Sequence, residues 1–502
     1  MNYELRASNS EFRILNFEFA RLFVFILLAA LPACAPAAEG EPLAPAALST
    51  RARAATPTRV PPTAIPLPQT IIDRYSVRAG DTLSNIALRY NIALEELREL
   101  NGLANGNALR IGQILKVPLR LTRAAPAESF IPDSEVVLGP AYENFDIAAF
   151  ATQTGGYLSA YRERVEGETL TGAQILQLVA ERFSVGPRVL LTILEMQSGW
   201  VTNPLPSQIQ FPMGLQDSTR QGLYFQAGWT ANALNEGYYG KISGRLSHLR
   251  FRDRVRAFIP ASLNAGTLAV MNALALTTTF DAWQNQISAD GFRATYQKLF
   301  GAPEPNAIEP LVPRNLKPPA LRLPWSDGEM WYFSGGPHTA WGENGAWAAI
   351  DLVPNDIAGS GSCLASRRFV VAAAPGKVLR SERGRVVVAL NGNNFQGKGW
   401  ALLYLHLASA GRVGQGVVLN VGDKIGHPSC EGGNADASHL HFARLYNGQW
   451  IEPSIAPFVL SGWTITPADQ EYDGGITRGA ESREACNCRD DLKNGIVADA
   501  GR

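Results

Sequence analysis

Four histidines and one aspartate in the C-terminal part of this 502-residue chain could do chemistry together. They are His338, Asp351, His406, His439 and His441. Zinc favours imidazole and carboxylate ligands, and a catalytic zinc site keeps about three protein ligands and one open position. Two of the histidines and the aspartate meet that requirement. The remaining two histidines could assist proton transfer and stabilise an oxyanion beside a metal-activated water.

The densest part of this set lies in residues 438–442, where polar and apolar residues alternate as in a β-strand. Successive side chains of a strand point to opposite faces, so His439 and His441 should share one face. Leu440 and Phe442 should then point into the core. The sequence therefore predicts a strand that is anchored on one side and presents two imidazoles on the other.

Two further strands are predicted to carry the other members of the set. Residues 401–407 should place Tyr404 and His406 on one face, opposite three leucines. Residues 348–353 hold Asp351 as a lone carboxylate among apolar side chains. Burying an unpaired carboxylate costs several kcal/mol, roughly, and metal binding would remove that cost.

This set resembles the lysostaphin-type zinc metallopeptidases, which cleave peptide cross-links of bacterial cell walls. These enzymes carry an upstream His, an Asp, a lone His and a final H-x-H, and the resemblance covers about residues 324–455, including the glycines of residues 421–426. It implies that a Zn²⁺ ion is bound by His338, Asp351 and His441. It also implies that His406 and His439 are catalytic, within an antiparallel β-rich peptidase domain at residues 324–463.

One departure from the family pattern concerns the first metal ligand. The family usually places its first His four residues before the Asp, whereas His338 lies thirteen residues before Asp351. Residues 339–347 are interpreted as an inserted Gly-rich loop, and Glu343 or Asp356 could replace His338. The histidines outside the pattern, His248 and His427, are interpreted as structural or surface residues.

Composition favours a multidomain globular protein without a nucleic-acid partner. The length suits about three domains. Hydrophobic residues make up 46% of the chain and charged residues 18%, with a formal net charge of zero. Because no basic excess is present, nucleic acid is not an expected partner. A neutral or zwitterionic polymer is the better expectation.

The N-terminus, residues 1–34, has the pattern of an export signal. Arginines precede the apolar run 22–33, which is too short to span a bilayer. The run ends in Leu31-Pro-Ala-Cys34, which resembles the lipobox of bacterial lipoproteins. That resemblance implies lipidation of Cys34 and a membrane anchor; ordinary secretion and an uncleaved anchor are the alternatives. Residues 35–70, rich in Ala and Pro, are predicted to form a solvated tether.

Residues 73–119 closely resemble the LysM module, a small α+β domain that binds N-acetylglucosamine polymers such as peptidoglycan. Asp81 is predicted to cap the helix that begins near Leu83. The resemblance implies a glycan groove between two short segments. Its members are Gly80, Asp81, Thr82, Leu109, Arg110 and Ile111.

Residues 130–302 are predicted to form a mostly helical domain. Three short fragments, at 194–198, 213–216 and 264–266, resemble in order the motifs of lysozyme-like lytic transglycosylases. Gln197 stands where that family has its catalytic Glu, and an amide side chain cannot donate the proton that glycosidic cleavage requires. Glu195 should face away from the cleft. The domain is therefore interpreted as lysozyme-like and degenerate, with an unrelated helical spacer as the alternative.

The remaining segments are a Pro-rich linker at 303–323 and a C-terminal tail at 464–502 without a chemical motif.

Disulfides persist in exported proteins, and four cysteines follow Cys34. A Cys363–Cys430 bridge beside the site is the preferred pairing. Cys486 and Cys488 are too closely spaced to favour a mutual bridge, and their role stays open.

Together these features predict an exported, lipid-anchored cell-wall hydrolase in which a LysM module concentrates a zinc endopeptidase on peptidoglycan. Two hypotheses compete with it. The first is a wall-binding scaffold or amidase activator without catalysis. The second is glycan-strand cleavage by the middle domain.

Overall fold

The computed structural model describes residues 67–103, 109–357, 361–390 and 392–499. The predicted signal segment with Cys34, and the predicted tether up to residue 66, lie outside the described residues. Within the described ranges, no helix combines the length and apolar character needed to cross a bilayer.

The N-terminal module pairs two antiparallel strands and packs two short helices against them. Its elements in chain order are β1 (Gln69–Ser76), α1 (Leu83–Tyr90), α2 (Leu94–Leu100) and β2 (Ile114–Leu121). Its core is closed by Ile86 and Leu97 from the helices and by Leu115 and Val117 from β2. The predicted small α+β module is therefore present.

The predicted cap of α1 is wrong by one residue. Thr82 is the N-cap, and its hydroxyl accepts a hydrogen bond from the Asn85 amide at 3.1 Å. The Asp81 carboxylate turns away from the helix because it accepts hydrogen bonds from the Tyr75 hydroxyl at 2.6 Å and the Arg78 amide at 2.8 Å. Asp81 therefore ties the first turn of the module to β1.

The middle segment combines helices with short strands, so the prediction of a mostly helical domain is confirmed only in part. Helix α6 begins at a capping box, in which Thr171 and Gln174 satisfy each other's backbone amides. The elements are β3 (Arg123–Ala124), α3 (Asp133–Val136), α4 (Ile147–Thr154), α5 (Tyr157–Ala160), β4 (Arg162–Val165), β5 (Glu168–Thr171), α6 (Gly172–Phe183), α7 (Pro187–Ser198), α8 (Leu223–Ser243), β6 (His248–Arg250), β7 (Arg256–Phe258), α9 (Ala265–Ala275), α10 (Phe280–Gln286) and α11 (Phe292–Phe300).

The C-terminal part is built around a nine-stranded sheet with the order β14-β11-β12-β13-β16-β9-β8-β22, in which β17 also pairs with β16. Its strands pair antiparallel, as predicted. The strands of this part are β8 (Met330–His338), β9 (Ala349–Pro354), β10 (Val370–Val371), β11 (Gly376–Glu382), β12 (Arg385–Ala389), β13 (Trp400–Leu405), β14 (Val418–Leu419), β15 (Lys424–Gly426), β16 (Leu440–Tyr446), β17 (Gln449–Trp450), β18 (Val459–Leu460), β19 (Trp463–Pro467), β20 (Gly474–Arg478), β21 (Glu481–Glu484) and β22 (Gly495–Val497).

Residues 464–499 are not a separate tail. Strands β19, β20 and β21 extend a four-stranded sheet that begins with β18, and β22 forms the edge strand beside β8. Ile465, Ile476 and Ile496 are buried in the same core as Trp331 of β8. Each of these isoleucines lies in a different strand, and these strands are too short to be recognised from an alternating sequence pattern.

The two faces of the nine-stranded sheet bury different partners. Leu402, Leu440 and Phe442 point into the core of the C-terminal part. Leu403 and Leu445, on the opposite face, share a buried cluster with apolar residues of the middle helices. The Tyr239 hydroxyl of α8 accepts a hydrogen bond from the Trp450 amide at 2.9 Å. The middle domain therefore covers the sheet face that the C-terminal core leaves open.

Buried ion pairs reinforce this contact between the domains. Glu181 of α6 is nearly inaccessible and pairs with Arg380 and with Arg385, the latter at 3.2 Å. The exposed Glu166, in the β4–β5 turn, also pairs with Arg383 at 3.0 Å, but a pair that water reaches adds little stability. Breaking a buried pair leaves a charge uncompensated, which costs several kcal/mol, roughly. The two domains therefore form one packed body.

The N-terminal module is held against the middle domain by polar contacts. The Ser247 hydroxyl donates to the Asp73 carboxylate of β1 at 2.7 Å, and the Arg256 guanidinium lies 4.9 Å from the ring centre of Tyr90. His248 is buried beside them, with Nδ1 3.8 Å from Asp73. Burial lowers the pKa of His248 to about 4, although the nearby Asp73 opposes that effect.

We predict that His248 makes the protein less stable in mild acid. The unfolded chain binds a proton at His248 below its usual pKa of 6.5, whereas the folded chain does so only near 4. Stability present at pH 7 is therefore lost as the pH falls from about 6.5 to 4, by about 2–3 kcal/mol. Chemical denaturation of wild type and His248→Gln across this range measures the loss. A difference between the two proteins that stays constant with pH would contradict it.

Candidate metal centre

Three adjacent strands bring the predicted metal ligands together. His441 of β16 lies directly opposite Asp351 of β9 in the antiparallel register, so both side chains emerge on the same face. His338 is the last residue of β8, the strand on the other side of β9. The long sequence gap between His338 and Asp351 is thus a hairpin connection, which returns the chain to the neighbouring strand.

The ligand atoms of these three residues converge on one point. His338 Nε2 lies 3.4 Å and His441 Nδ1 lies 3.2 Å from Asp351 Oδ1, and the two nitrogens are 3.0 Å apart. Within the described residues, these three form the group whose donor atoms all lie within 4.8 Å of one another. The geometry is that of a small cation site with two nitrogens and one oxygen.

Backbone carbonyls orient both imidazoles. His338 Nδ1 lies 2.8 Å from Gly336 O, and His441 Nε2 lies 3.0 Å from Ala340 O. Because a carbonyl oxygen only accepts, each of these nitrogens must be the donor. The opposite nitrogens, His338 Nε2 and His441 Nδ1, are therefore aimed at Asp351, as expected for metal-ligating histidines held by outer partners.

His406 reaches the centre by a route that strand alternation does not predict. It follows β13 with a left-handed φ of 64°, which breaks the alternation, so it does not share a face with Tyr404. The Tyr404 hydroxyl instead accepts a hydrogen bond from the Ala373 amide within the core. The predicted pairing of Tyr404 with His406 is therefore wrong, and His406 lies on the side of His441.

His406 and His439 form a second pair beside the converging ligands. Their ring centres are 4.5 Å apart, and His439 Nε2 lies 3.5 Å from Asp351 Oδ1. Each Nδ1 is bonded to a carbonyl: His406 to Glu431 O at 3.0 Å, and His439 to Ala437 O at 2.8 Å. Both Nε2 atoms are therefore the ones available for chemistry.

The charges in the centre are strongly coupled. Burial would raise the pKa of Asp351, but attraction to His338 and His439 holds that pKa well below its usual range. Burial would lower the pKa of His338, yet attraction to Asp351 outweighs it and raises that pKa. Burial, followed by repulsion from His439 and His441, lowers the pKa of His406 to about 3. His406 is consequently neutral at ordinary pH.

The donor set fits a zinc ion. Asp351 Oδ1 is buried and accepts no hydrogen bond of normal geometry, although three imidazole nitrogens surround it. A cation would satisfy this oxygen, and two imidazoles with one carboxylate are ligands that zinc favours. The alternative ligand Asp356 is already bonded to the Ser366 hydroxyl at 2.6 Å and the Arg367 amide at 2.8 Å. Glu343 lies in the cleft but outside the converging group.

The loop between His338 and Asp351 is fixed by the middle domain. The Glu343 amide donates to Asn232 Oδ1 of α8 at 2.6 Å. A Cβ at Gly342 would lie 2.4 Å from that same oxygen, so the close approach requires glycine. Arg245 donates to Gly345 O at 3.0 Å and pairs with Glu452 at 2.6 Å. The inserted loop is therefore held against the middle domain by these contacts.

The centre opens into a cleft of about 1070 Å³ between the two domains. The middle domain supplies one wall, which includes Arg182, Tyr224, Phe225 and Trp229. Phe225 is 55% exposed, so an apolar ring faces the cleft without covering. Sequence reasoning missed this wall because nothing in a local pattern reports which domains face each other.

Sequence reasoning also missed Tyr472, which lies in the segment predicted to be a tail. Its ring stacks on His338 with ring centres 4.2 Å apart and an angle of 18°. Burial, and then repulsion from Asp351, raises the pKa of Tyr472 to about 12, so its hydroxyl stays protonated. Glu471 accepts hydrogen bonds from the Thr339 amide and hydroxyl at 3.1 and 2.5 Å. This segment therefore holds the end of β8 in place.

Two disulfides lie near the centre. Cys363 and Cys430 are joined across 67 residues, with Cα atoms 5.3 Å apart. Cys486 and Cys488 are also joined, with Cα atoms 5.2 Å apart, which contradicts the expectation drawn from their spacing. A Cα separation of this size lies within the range that disulfides bridge. Cys486 lies at the rim of the cleft.

The two segments that carry the predicted glycan residues are joined at one end in the N-terminal module. The Gly112 amide donates to Val77 O and the Val77 amide donates to Gln113 O, which joins the segments 77–82 and 109–113. Gly80, Thr82, Arg110 and Ile111 are exposed, while Asp81 and Leu109 are half-buried. These two segments can therefore form one groove.

The fragments that resemble transglycosylase motifs have structural roles in the middle domain. The Glu195 carboxylate accepts hydrogen bonds from the amides of Val201 and Thr202, both at 3.0 Å, and from the Thr202 hydroxyl. Asn264 is the N-cap of α9. The Glu195 carboxylate therefore stabilises the turn at residues 201–202.

Comparisons with known proteins agree with this arrangement. The LysM domain model matches residues 75–118, and the model described as LasA, N-terminal domain, matches residues 129–313. Protease LasA of Pseudomonas aeruginosa strain UCBPP-PA14 is 30% identical over 316 residues, which cover 59% of this chain and 71% of that protein. The chain belongs to the LasA protease family. Its middle segment is the LasA N-terminal domain, where the sequence alone indicated a lysozyme-like one.

Other members and solved structures resemble parts of the chain. Protease LasA of strain PAO1 is 29% identical over 313 residues, which cover 59% of this chain and 71% of that protein. The M23 metalloprotease pseudoalterin from the deep sea is 24% identical, with a TM-score of 0.28, and covers 34% of this chain and 96% of its own. The lysostaphin catalytic domain from Staphylococcus simulans is 22% identical, with a TM-score of 0.19, and covers 25% of this chain and 90% of its own.

We predict that replacing both Cys363 and Cys430 by serine destabilises the protein. The bridge closes a 67-residue loop, and losing it should lower the free energy of unfolding by about 2–4 kcal/mol. The matched control is Cys486→Ser/Cys488→Ser, whose bridge closes a far shorter loop and should matter less. Denaturant titration compares the two variants. An equal or larger loss in the control would contradict the prediction.

Proposed function

We propose that this protein is an exported zinc-dependent endopeptidase that cleaves peptide cross-links of peptidoglycan. The observation that carries the proposal is the convergence of His338, Asp351 and His441 on one point, with His406 and His439 beside it. The LysM match supports a peptidoglycan partner, and the related proteins that are named proteases support a peptidase. Lipidation at Cys34 would anchor the enzyme in the cell envelope.

The roles of the residues follow from their partners. A zinc ion held by His338, Asp351 and His441 would act as a Lewis acid toward a peptide carbonyl. Neutral His406 can accept a proton at Nε2, because its Nδ1 is bonded to the Glu431 carbonyl. His439 can exchange a proton at its own Nε2 in the same way. The two histidines would thus serve proton transfer and stabilise developing charge on the substrate.

The cleft is large enough for a peptide substrate. Its volume of about 1070 Å³ lies just above the range of about 300–1,000 Å³ that ligand sites usually have. Polar groups and aromatic rings from both domains line it, so a branched peptide with polar and apolar parts is a suitable occupant. The side walls would position the scissile bond, since misplacement by about 1 Å costs about 100-fold in rate.

We predict that zinc content and peptide cleavage are lost together when His441 is replaced. Wild type should bind about one zinc ion per chain and release peptide-cleaved muropeptides, as measured by metal analysis and mass spectrometry. A chelator should abolish release, and added zinc should restore it. His441→Ala should lower the rate more than about 100-fold, because losing an outer-shell partner alone costs 10–100-fold.

His427→Ala is the matched control, since His427 lies outside the centre and its Nδ1 bonds to Arg368 O. It should keep both zinc and activity. A purified protein without stoichiometric zinc and without peptide cleavage would contradict the proposal and favour a wall-binding scaffold instead. Cleavage of glycan strands that survives His441→Ala would favour activity of the middle domain.

A further inference from the structure

The LysM module touches the segment that holds the metal centre. A Cβ at Gly112, next to the predicted glycan groove, would lie 3.7 Å from Gln470 Oε1. Arg74 of β1 lies 3.6 Å from the Asp469 carboxylate. Both partners of that pair are exposed, so it adds little stability. The pair shows instead where the module lies: the loop 110–112 and β1 lie against residues 469–470.

The next two residues of the same segment reach the centre. Glu471 holds Thr339 through two hydrogen bonds, and Tyr472 stacks on His338. The Gly336 amide donates to Tyr472 O at 2.7 Å. Two residues of extended chain span at most about 7 Å. The backbone therefore covers at most about 7 Å between Gln470, which contacts the loop 110–112, and Tyr472, which stacks on the metal ligand His338.

The orientation of the LysM module is fixed. Ser247 and Arg256 of the middle domain hold Asp73 and Tyr90 of the module. Strand β2 then runs directly into β3, which pairs with β7 of the middle domain. A module on a flexible linker could deliver substrate in any direction, whereas this one holds its loop 110–112 against Gln470, two residues before Tyr472 of the cleft.

We propose that the LysM groove and the metal centre form one continuous binding surface, which takes a peptide that is still attached to its aminosugar strand. This inference rests on the proposed function and specifies its substrate class. The sugars would occupy the segments 80–82 and 109–111, and the peptide they carry would pass residues 469–472 into the cleft. Peptides without sugars would be cut as poor substrates.

Simple targeting makes a different prediction. A module that only concentrates the enzyme on the wall raises the rate on insoluble peptidoglycan but gives no advantage on small soluble fragments. A continuous surface does give that advantage, because occupying one part raises the effective concentration of the linked group at the other. The distinction therefore lies in soluble substrates in which sugar and peptide are covalently joined.

The test uses the full-length protein and one soluble peptide dimer in two forms. In the first form, the dimer carries a short N-acetylglucosamine-containing oligosaccharide on its natural lactyl link. In the second, the same dimer lacks sugar, and free oligosaccharide is added at equal concentration. We expect kcat/KM for the joined form to be at least about tenfold higher. Equal values for the two forms would overturn the inference.

A variant distinguishes a surface that depends on the fixed orientation of the LysM module from an effect of sugar binding alone. Asp73→Ala/Arg256→Ala removes the Ser247–Asp73 and Arg256–Tyr90 contacts of the LysM module without touching the groove or the centre. It should still bind chitin oligosaccharide and cut the sugar-free dimer, while its preference for the joined form should fall toward one, because the orientation of the module is less well fixed. A preference that persists at the wild-type level would overturn the inference.

Leu88→Ser, at an 81% exposed apolar residue of α1, is the matched control and should leave every rate unchanged. The two proposals fail in different ways. Chelator-sensitive cleavage of the sugar-free dimer tests the proposed function alone. If that cleavage occurs without a preference for the joined form, only the continuous surface is wrong.

Discussion

The carboxylate of Asp351, whose Oδ1 is buried, is the constraint on which the rest of this structure depends. It lies on a central strand with imidazole nitrogens from His338, His439 and His441 within 3.5 Å, and it is still without a well-formed hydrogen bond. An ionised group in this position is tolerable only where positive charge faces it. The neighbouring strands, the carbonyl partners of the histidines and the loop after β8 all serve to bring that charge into place.

The middle domain has a direct part in this arrangement. It covers the sheet face that carries Asp351 and His441, and its Asn232 and Arg245 hold the loop that joins two of the ligands. The buried Glu181 and its arginine partners add charge pairing to this apolar contact. The LasA N-terminal domain in this chain is therefore a structural neighbour of the centre as well as one wall of its cleft.

Much of the centre could be predicted from sequence because strand alternation is a local property. It placed His441 opposite the core-facing Leu440 and Phe442, and it identified Asp351 as a carboxylate in an apolar strand. It failed at His406, where a left-handed backbone turns the side chain to the other face. The prediction of a helix cap at Asp81 also failed, because the Tyr75 hydroxyl and the Arg78 amide compete with the helix for its carboxylate.

What the sequence could not predict depends on contacts between distant segments. Tyr472 reaches His338 only because β19 and β20 fold back on the sheet, and their short strands leave a weak pattern. The cleft wall around Phe225 depends on how two domains pack, which no motif encodes. The transglycosylase-like fragments illustrate the reverse case: Glu195 and Asn264 occupy turn and cap positions, so short motif matches reflected local structure.

X-ray absorption spectroscopy of the zinc-loaded protein tests the central claim most directly, because it reports the atoms around the metal. The account predicts a first shell of nitrogen and oxygen at about 2.0–2.2 Å, with the outer-shell scattering of two imidazoles. Loss of one imidazole contribution in His338→Ala would identify that residue as a ligand. A sulfur shell near about 2.3 Å, or a spectrum unchanged in both Asp351→Ala and His441→Ala, would contradict the account.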